Sequence, residues 1–290
     1  MNPTKQLKNI IELSRIKRFS GVWLLFLPCI FGIILSYKDN LPNNSDLSGR
    51  YIFLLFFLGS IIMRTAGCVI NDIADRKLDA KVKRTKNRPL ANNNISLFAA
   101  LIFLVILLSL GLLILMQLNI LAIKLGIGAM FLVILYPFTK RFTHYPQLFL
   151  GITFNFGILL AAAAINEQIS LAIILLYISS IFWTLTYDTI YAYQDIEDDI
   201  KVDNKSSAIK FGENPQRILC IFAIIQSILL SISGFLVNFE ISYYLIIYMS
   251  LFYSIFLIIS CNFKSETDCL DKFKSNIIVG AIILMALISG

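Results

Sequence analysis

Long apolar stretches, broken by short polar punctuation, run through the whole chain. Nine of them, at 20–37, 51–70, 97–116, 120–138, 148–165, 169–187, 217–237, 241–260 and 275–290, have about the length that crosses ~30 Å of hydrocarbon as a helix. In a bilayer only a helix or a closed barrel pairs every backbone group internally, and unbroken apolar runs belong to the helix. The third and fourth runs are separated only by Gln117 to Asn119, which predicts a tight helical hairpin. The polar stretches are uneven. One, from Lys38 to Arg50, holds the turn-forming Pro42-Asn43-Asn44-Ser45. Two long ones, 71–96 and 188–216, carry acidic and basic residues at helical spacing. The predicted fold is all-α, a bundle of about nine transmembrane helices around a central cavity opening to the cytoplasmic side.

Composition supports this reading. The 290 residues are 58% hydrophobic and 15% charged, with a mean hydropathy of +0.78, whereas soluble domains carry nearer a quarter charged residues. Met1 to Ser20 is polar and charged, and the first apolar run lacks a small-residue cleavage site, so no cleavable signal is expected. A net charge of +7 would suggest nucleic acid in a soluble protein, but its distribution decides otherwise. One set of loops holds Lys5, Lys8, Arg15, Lys17 and Arg18, then Arg76 to Arg88, Lys140, Arg141, Lys201, Lys205, Lys210, Arg217, Lys264, Lys272 and Lys274. The opposite loops hold Lys38 and Arg50. The positive-inside rule then sets the N-terminus as cytoplasmic and the C-terminus as external. A bacterial inner membrane is the expected location. The five cysteines show no metal-ligand spacing, and Cys261 and Cys269 are expected as free thiols.

Two groups of carboxylates interrupt this apolar chain: Asn71-Asp72-Ile73-Ala74-Asp75-Arg76-Lys77-Leu78-Asp79, and Asp188 through Asp195 and Glu197 to Asp198 and Asp199. Carboxylates beside a bilayer are costly to desolvate and call for a cation or a function. On a helix Asp72, Asp75 and Asp79 share one face, with Asn71 one position away; Asp188, Asp195 and Asp199 share another, with Tyr191 between them. Like charges so spaced repel, and a divalent ion reverses that sign. Oxygen donors without His or Cys suit Mg²⁺. The basic run Lys81-Val82-Lys83-Arg84-Thr85-Lys86-Asn87-Arg88-Pro89 follows the first group. Such runs hold anionic lipid, but one next to an Mg²⁺ face also clamps a diphosphate. Arg64, inside an apolar run, should face the bundle interior and pair with an anion, either these carboxylates or the substrate.

The run Asn71-Asp72-x-x-Asp75-x-x-x-Asp79, then Arg84-x-x-Asn87-Arg88-Pro89-Leu90, resembles the signature of the UbiA superfamily of intramembrane aromatic prenyltransferases. Tyr187-Asp188-Thr189-Ile190-Tyr191-Ala192 with Asp195, Asp199, Lys201 and Lys205-Ser206 is similar to its second aspartate motif. Tyr136 to His144, with Lys140-Arg141, resembles the 4-hydroxybenzoate polyprenyltransferase branch. The likeness covers the whole chain as a single domain, 1–290, with 71–96 and 188–216 capping an active site. It implies Mg²⁺-dependent transfer of a polyprenyl group from its diphosphate to the carbon ortho to the hydroxyl of 4-hydroxybenzoate, a ubiquinone biosynthesis step. In that reading Asn71, Asp72, Asp75, Asp79, Asp195 and Asp199 hold the metal. Arg64, Lys81, Arg84, Arg88, Tyr191 and Lys205 serve the substrates. Asp188 orients or deprotonates the phenol, and Arg141, beside Lys140, takes the ring carboxylate bidentately. Ordinary charge anchoring is an equal reading for Lys140 and Arg141. His144 reads as a surface residue. Phe154, Phe156, Tyr191 and Tyr193 are candidates to line an isoprenoid tunnel. Other acceptors (homogentisate, a naphthoate, haem) and an ion-coupled transporter are the alternatives.

Overall fold

A computed structural model describes residues 3–16, 19–39, 47–82 and 84–290. Lys17, Arg18, Lys83 and the expected turn at 42–45 lie outside the described residues. The elements are α1 (Pro3–Ser14), α2 (Ser20–Lys38), α3 (Gly49–Asp79), α4 (Leu97–Leu115), α5 (Ile120–Thr139), α6 (Pro146–Phe154), α7 (Phe156–Asn166) and α8 (Leu171–Ala192). A 3₁₀ turn (Tyr193–Asp195) follows, then α9 (Ile196–Lys201), α10 (Ser207–Phe211), α11 (Gln216–Leu236), α12 (Ile241–Ile259) and α13 (Glu266–Ser289). Nine spans among the described residues are long and apolar enough to cross a membrane, α6 with α7 forming one and α8 with its polar extension another. The nine predicted runs each map to one of them.

Polar residues mark where spans begin. Ser48, Ser96, Asn119, Ser170 and Ser265 each accept a hydrogen bond from a backbone N–H in the first turn of the following helix, which satisfies a donor that the helix cannot. Small residues let the spans approach closely. A Cβ at Gly32 of α2 would lie 2.7 Å from the Ile158 carbonyl oxygen of α7. The core of α2, α7, α8 and α11 to α13 centres on Phe31, Trp183, Tyr187 and Tyr243. By contrast α4 buries only Ala100 and Leu107 and turns Phe98, Val105 and Leu113 outward, as a helix facing lipid should.

Three elements depart from the sequence expectation. Helix α3 runs on to Asp79, so the first acidic motif is its last two turns. The run 148–165 is interrupted at Asn155, whose amide donates to the Gly151 and Ser180 carbonyls and to Thr184 Oγ1 at 2.7, 3.0 and 2.8 Å. A fully buried amide has no water to turn to, so the break is stitched into α8. Finally, α8 ends at Ala192 and the chain turns before α9. Asp188, Asp195 and Asp199 therefore do not share one continuous helical face as their spacing of seven and four implied.

Candidate active site

The C-terminal ends of α3, α5 and α8, the start of α6, and the segments 84–96 and 193–206 meet at one end of the bundle. There they surround the mouth of a cavity of about 1120 Å³. Asn71, Asp75 and Asp79, at intervals of four on α3, line it together with Asp188, Tyr191, Asp195 and Asp199. Arg15, Arg64, Arg84, Arg88, Lys140 and Lys205 line it too. Both acidic groups and most of the expected cations therefore share one chamber.

The carboxylates are held by cations. Arg84 grips Asp195 with two bonds, Nε to Oδ1 at 2.6 Å and Nη2 to Oδ2 at 2.5 Å, and its Nη1 donates to Tyr191 Oη at 3.4 Å. This fork ties the segment after α3 to the end of α8. Arg88 Nη1 donates to Asp79 Oδ2 at 2.7 Å and to Asp72 Oδ1 at 3.2 Å. Arg15 pairs with Asp72, and Lys140 with Asp75. Asn204 donates to Asp199 Oδ1 at 3.0 Å, and the Lys205 backbone N–H donates to the Lys140 carbonyl at 2.9 Å. Burial opposes the charge on Arg84 and on Arg15. Tyr191 and Asp195 around Arg84, and Asp72 beside Arg15, more than offset it, so both guanidinium pKa values lie above the ordinary arginine value.

Deeper in, Arg64 Nη1 donates to Cys68 Sγ at 2.8 Å and the guanidinium lies over the Phe154 ring at 5.7 Å. Asp188 lines the same cavity. Gly21 makes room for it, since a Cβ there would come within 2.5 Å of Arg64 Nε. Beyond this polar layer the wall is apolar, with Met63 from α3, Leu112 and Leu115 from α4, Leu118 from the α4–α5 turn, and Ile127 and Met130 from α5.

The placement corrects several expectations. Asp72 is 2% exposed and is absent from the cavity wall, while its partners Arg15 and Arg88 are on it. Lys81 points to solvent outside the cavity. Arg141 is exposed as well. Its Nη2 donates to the Ala74 carbonyl at 2.9 Å and its guanidinium lies 5.0 Å from the Phe138 ring centroid, so it braces the end of α5 against α3 and stands off the cavity wall. Neighbours in sequence point apart here, and Lys140 is the one that enters. Arg64 forms no ion pair with the first acidic group among the described residues; its bond goes to Cys68. Arg15 was read only as an anchoring charge, and nothing in its local sequence separates it from Lys8.

Among the described residues no three acidic, His or Cys side chains form a ready metal cage, and basic side chains pair with Asp72, Asp75, Asp79 and Asp195. The donors nevertheless fit a hard divalent ion. They are all oxygen, and Asp75 Oδ1 is buried without a hydrogen-bond partner on the wall that faces the cavity. A buried anionic oxygen left unpaired is costly, and a cation beside it removes that cost.

Residues 25–278 match the UbiA prenyltransferase family. The chain is 43% identical over 284 residues to a protein of Drosophila pseudoobscura pseudoobscura named 4-hydroxybenzoate polyprenyltransferase, mitochondrial, covering 98% of this chain and 70% of that one. It is 39% identical over 288 residues to the human protein of the same name, covering 99% and 76%. Among solved structures, the apo UbiA homolog from Aeropyrum pernix K1 superposes with a TM-score of 0.74 at 23% identity, over 92% of this chain and 96% of that one. The UbiA homolog from Archaeoglobus fulgidus bound to GPP and Mg²⁺ gives 0.70 at 20% identity, over 97% and 98%. The relatives named as mitochondrial overturn the expected bacterial inner membrane. The chain is an integral membrane protein, and its charge asymmetry distinguishes two membrane faces without naming a compartment. With the match spanning most of its length and the fold shared end to end, the chain belongs to the UbiA prenyltransferase family.

Proposed function

We infer that the protein transfers a polyprenyl group from its diphosphate to the ring carbon ortho to the hydroxyl of 4-hydroxybenzoate, releasing diphosphate. The observation that carries this reading is one cavity with two unlike ends: a mouth of carboxylates and guanidinium groups, and an apolar depth between α3, α4 and α5. An amphiphile with an anionic head and a long hydrocarbon tail matches both ends. The relatives' printed names supply the acceptor.

The residues divide the work by position. Asn71, Asp75, Asp79, Asp195 and Asp199 would hold Mg²⁺, which when bound neutralises diphosphate charge and favours its departure. Arg84, Arg88 and Lys140 donate to the phosphate oxygens and share the charge that develops as the allylic C–O bond breaks. Lys205 adds a cation to the same rim. The isoprenoid tail lies along Met63, Leu112, Leu115 and Met130. Arg64, in the chamber and bonded to no carboxylate among the described residues, takes the ring carboxylate. Asp188, on the wall of the same cavity, accepts a hydrogen bond from the phenol and so raises electron density at the ortho carbon. That carbon bonds to C1 of the isoprenoid, and loss of its proton to a base restores the aromatic ring. The segments 84–96 and 193–206 cover the mouth and keep water from the cationic carbon. We take the whole of 1–290 as one catalytic domain.

The test is purified protein in liposomes supplied with 4-hydroxybenzoate, a polyprenyl diphosphate and Mg²⁺, with mass analysis of the product. The expected mass is the aromatic acid plus the prenyl group less one hydrogen. Hydrolysis to free prenyl alcohol alone, with the acid untouched, would overturn the reading.

A further inference from the structure

We propose that the end of α1 is a working part of the diphosphate site: Arg15 faces the departing diphosphate, and Asp72 positions Arg15 and Arg88 instead of ligating a metal. This rests on the prenyl-transfer reading above and adds two residue roles to it.

The first observation is the backbone. Arg15 has φ of +52°, a left-handed conformation that costs a residue with a Cβ about 1 kcal/mol or more. Such strain persists only where the surroundings fix it. Here they do. Leu13 is 1% exposed and packs in a cluster with Ala66 and Val69 of α3 and with Leu90. Asn9 Nδ2 donates to the Asn94 carbonyl at 3.2 Å. Helix α1 is thereby fastened both to the acidic helix and to the segment that carries Arg84 and Arg88. The left-handed residue turns the chain at the end of α1 and sends its side chain to the cavity, where Ser14, Arg15 and Ile16 form part of the wall.

The second observation is Asp72. A metal ligand must present an oxygen to the chamber. Asp72 is instead buried behind it, and its Oδ1 is claimed by both Arg15 and Arg88. A lone carboxylate so buried would be strongly destabilising; with two guanidinium groups on it the charge is matched. An arginine has five N–H donors. Arg15 uses one nitrogen on Asp72, which leaves its others for phosphate oxygens, and Arg88 is placed in the same way. The carboxylate thus holds two cations at the mouth with their remaining donors available, an arrangement that suits a leaving diphosphate better than two mobile side chains would.

The experiment uses full-length protein in detergent or nanodiscs and measures binding of inorganic pyrophosphate with Mg²⁺, followed by kinetics with polyprenyl diphosphate and 4-hydroxybenzoate. R15A should bind pyrophosphate about tenfold more weakly and raise KM for the prenyl donor, with KM for the aromatic acid unchanged; R15K should recover part of the loss. D72N should behave as R15A does and leave the Mg²⁺ concentration for half-maximal activity where it is in the wild type, while D75N shifts that concentration upward. R15A binding pyrophosphate within twofold of wild type would overturn the proposal, as would a magnesium shift in D72N equal to that in D75N. If D72N does not fold, R15A against R15K decides alone. A wild-type protein that binds pyrophosphate but never prenylates 4-hydroxybenzoate would refute the acceptor assignment and leave the Arg15 comparison standing.

Discussion

Replacing Gly126 with Phe should make the enzyme selective for short donors. Gly126 lies on the apolar wall, and a Cβ there would already be 2.6 Å from Leu115 Cδ1 across the α4–α5 hairpin. It precedes Lys140, the residue that closes α5, by fourteen positions, or about 21 Å at 1.5 Å per helical residue. An extended chain gains about 1.2 Å per bond, so an isoprene unit of four main-chain bonds spans about 5 Å. A two-unit tail then ends well short of Gly126, while a tail of about four units reaches it. The tail moves between lipid and an equally apolar tunnel, so little hydrophobic free energy is at stake; exclusion by overpacking decides. Forcing chain past an added ring costs about 1–3 kcal/mol, which is a loss of roughly fivefold to a hundredfold in kcat/KM for long donors. The assay compares geranyl diphosphate with a donor of six or more units in the same membranes, scoring the ratio of their kcat/KM values. An equal fall for both donors, or no change for either, would refute the placement of the tail.

Arg64→Ala should raise KM for 4-hydroxybenzoate at least tenfold and leave KM for the prenyl donor near wild type, whereas Arg141→Ala should spare both; the reverse order would return carboxylate capture to Arg141. Chelation should abolish activity and added Mg²⁺ restore it, with Asp75→Asn needing more metal than wild type for half-maximal rate; a chelator-insensitive enzyme contradicts the assignment of Asn71, Asp75 and Asp79. Gly32→Ala places a methyl 2.7 Å from a backbone oxygen of α7, which no side-chain rotation relieves. It should cost about 1–3 kcal/mol, and an unchanged Tm in detergent would show that α2 and α7 can part freely.

How far the sequence could be read follows from what each signal measures. Hydropathy sees transfer to lipid, so it located nine spans, yet it ended the second at residue 70 although α3 continues to Asp79. Those last turns are polar but buried, neutralised by Arg15, Arg88 and Lys140 from elsewhere in the chain, and no local window contains that pairing. The first turns of α13, from Glu266, lie outside the hydropathy signal for a different reason, since Glu266, Thr267, Asp271 and Lys274 are exposed, and the break at Asn155 was hidden because its partners lie on α8. Spacing did better with the site. The spacing puts Asp72, Asp75 and Asp79 on one face with Asn71 one position away, and the structure has Asn71, Asp75 and Asp79 on the cavity wall. Asp72 satisfied the same motif and faces away, because a spacing of three or four admits two overlapping faces and only the neighbours choose between them. Cations were the least legible. Lys81, Arg84, Lys140 and Arg141 are equivalent to a charge count, but only Arg84 and Lys140 reach the chamber, since a long side chain at a helix end goes where a buried anion draws it. Arg15 makes the point most sharply. Its role depends on a left-handed turn, a buried leucine two residues earlier and a carboxylate fifty-seven positions away, and the fold alone brings those three together.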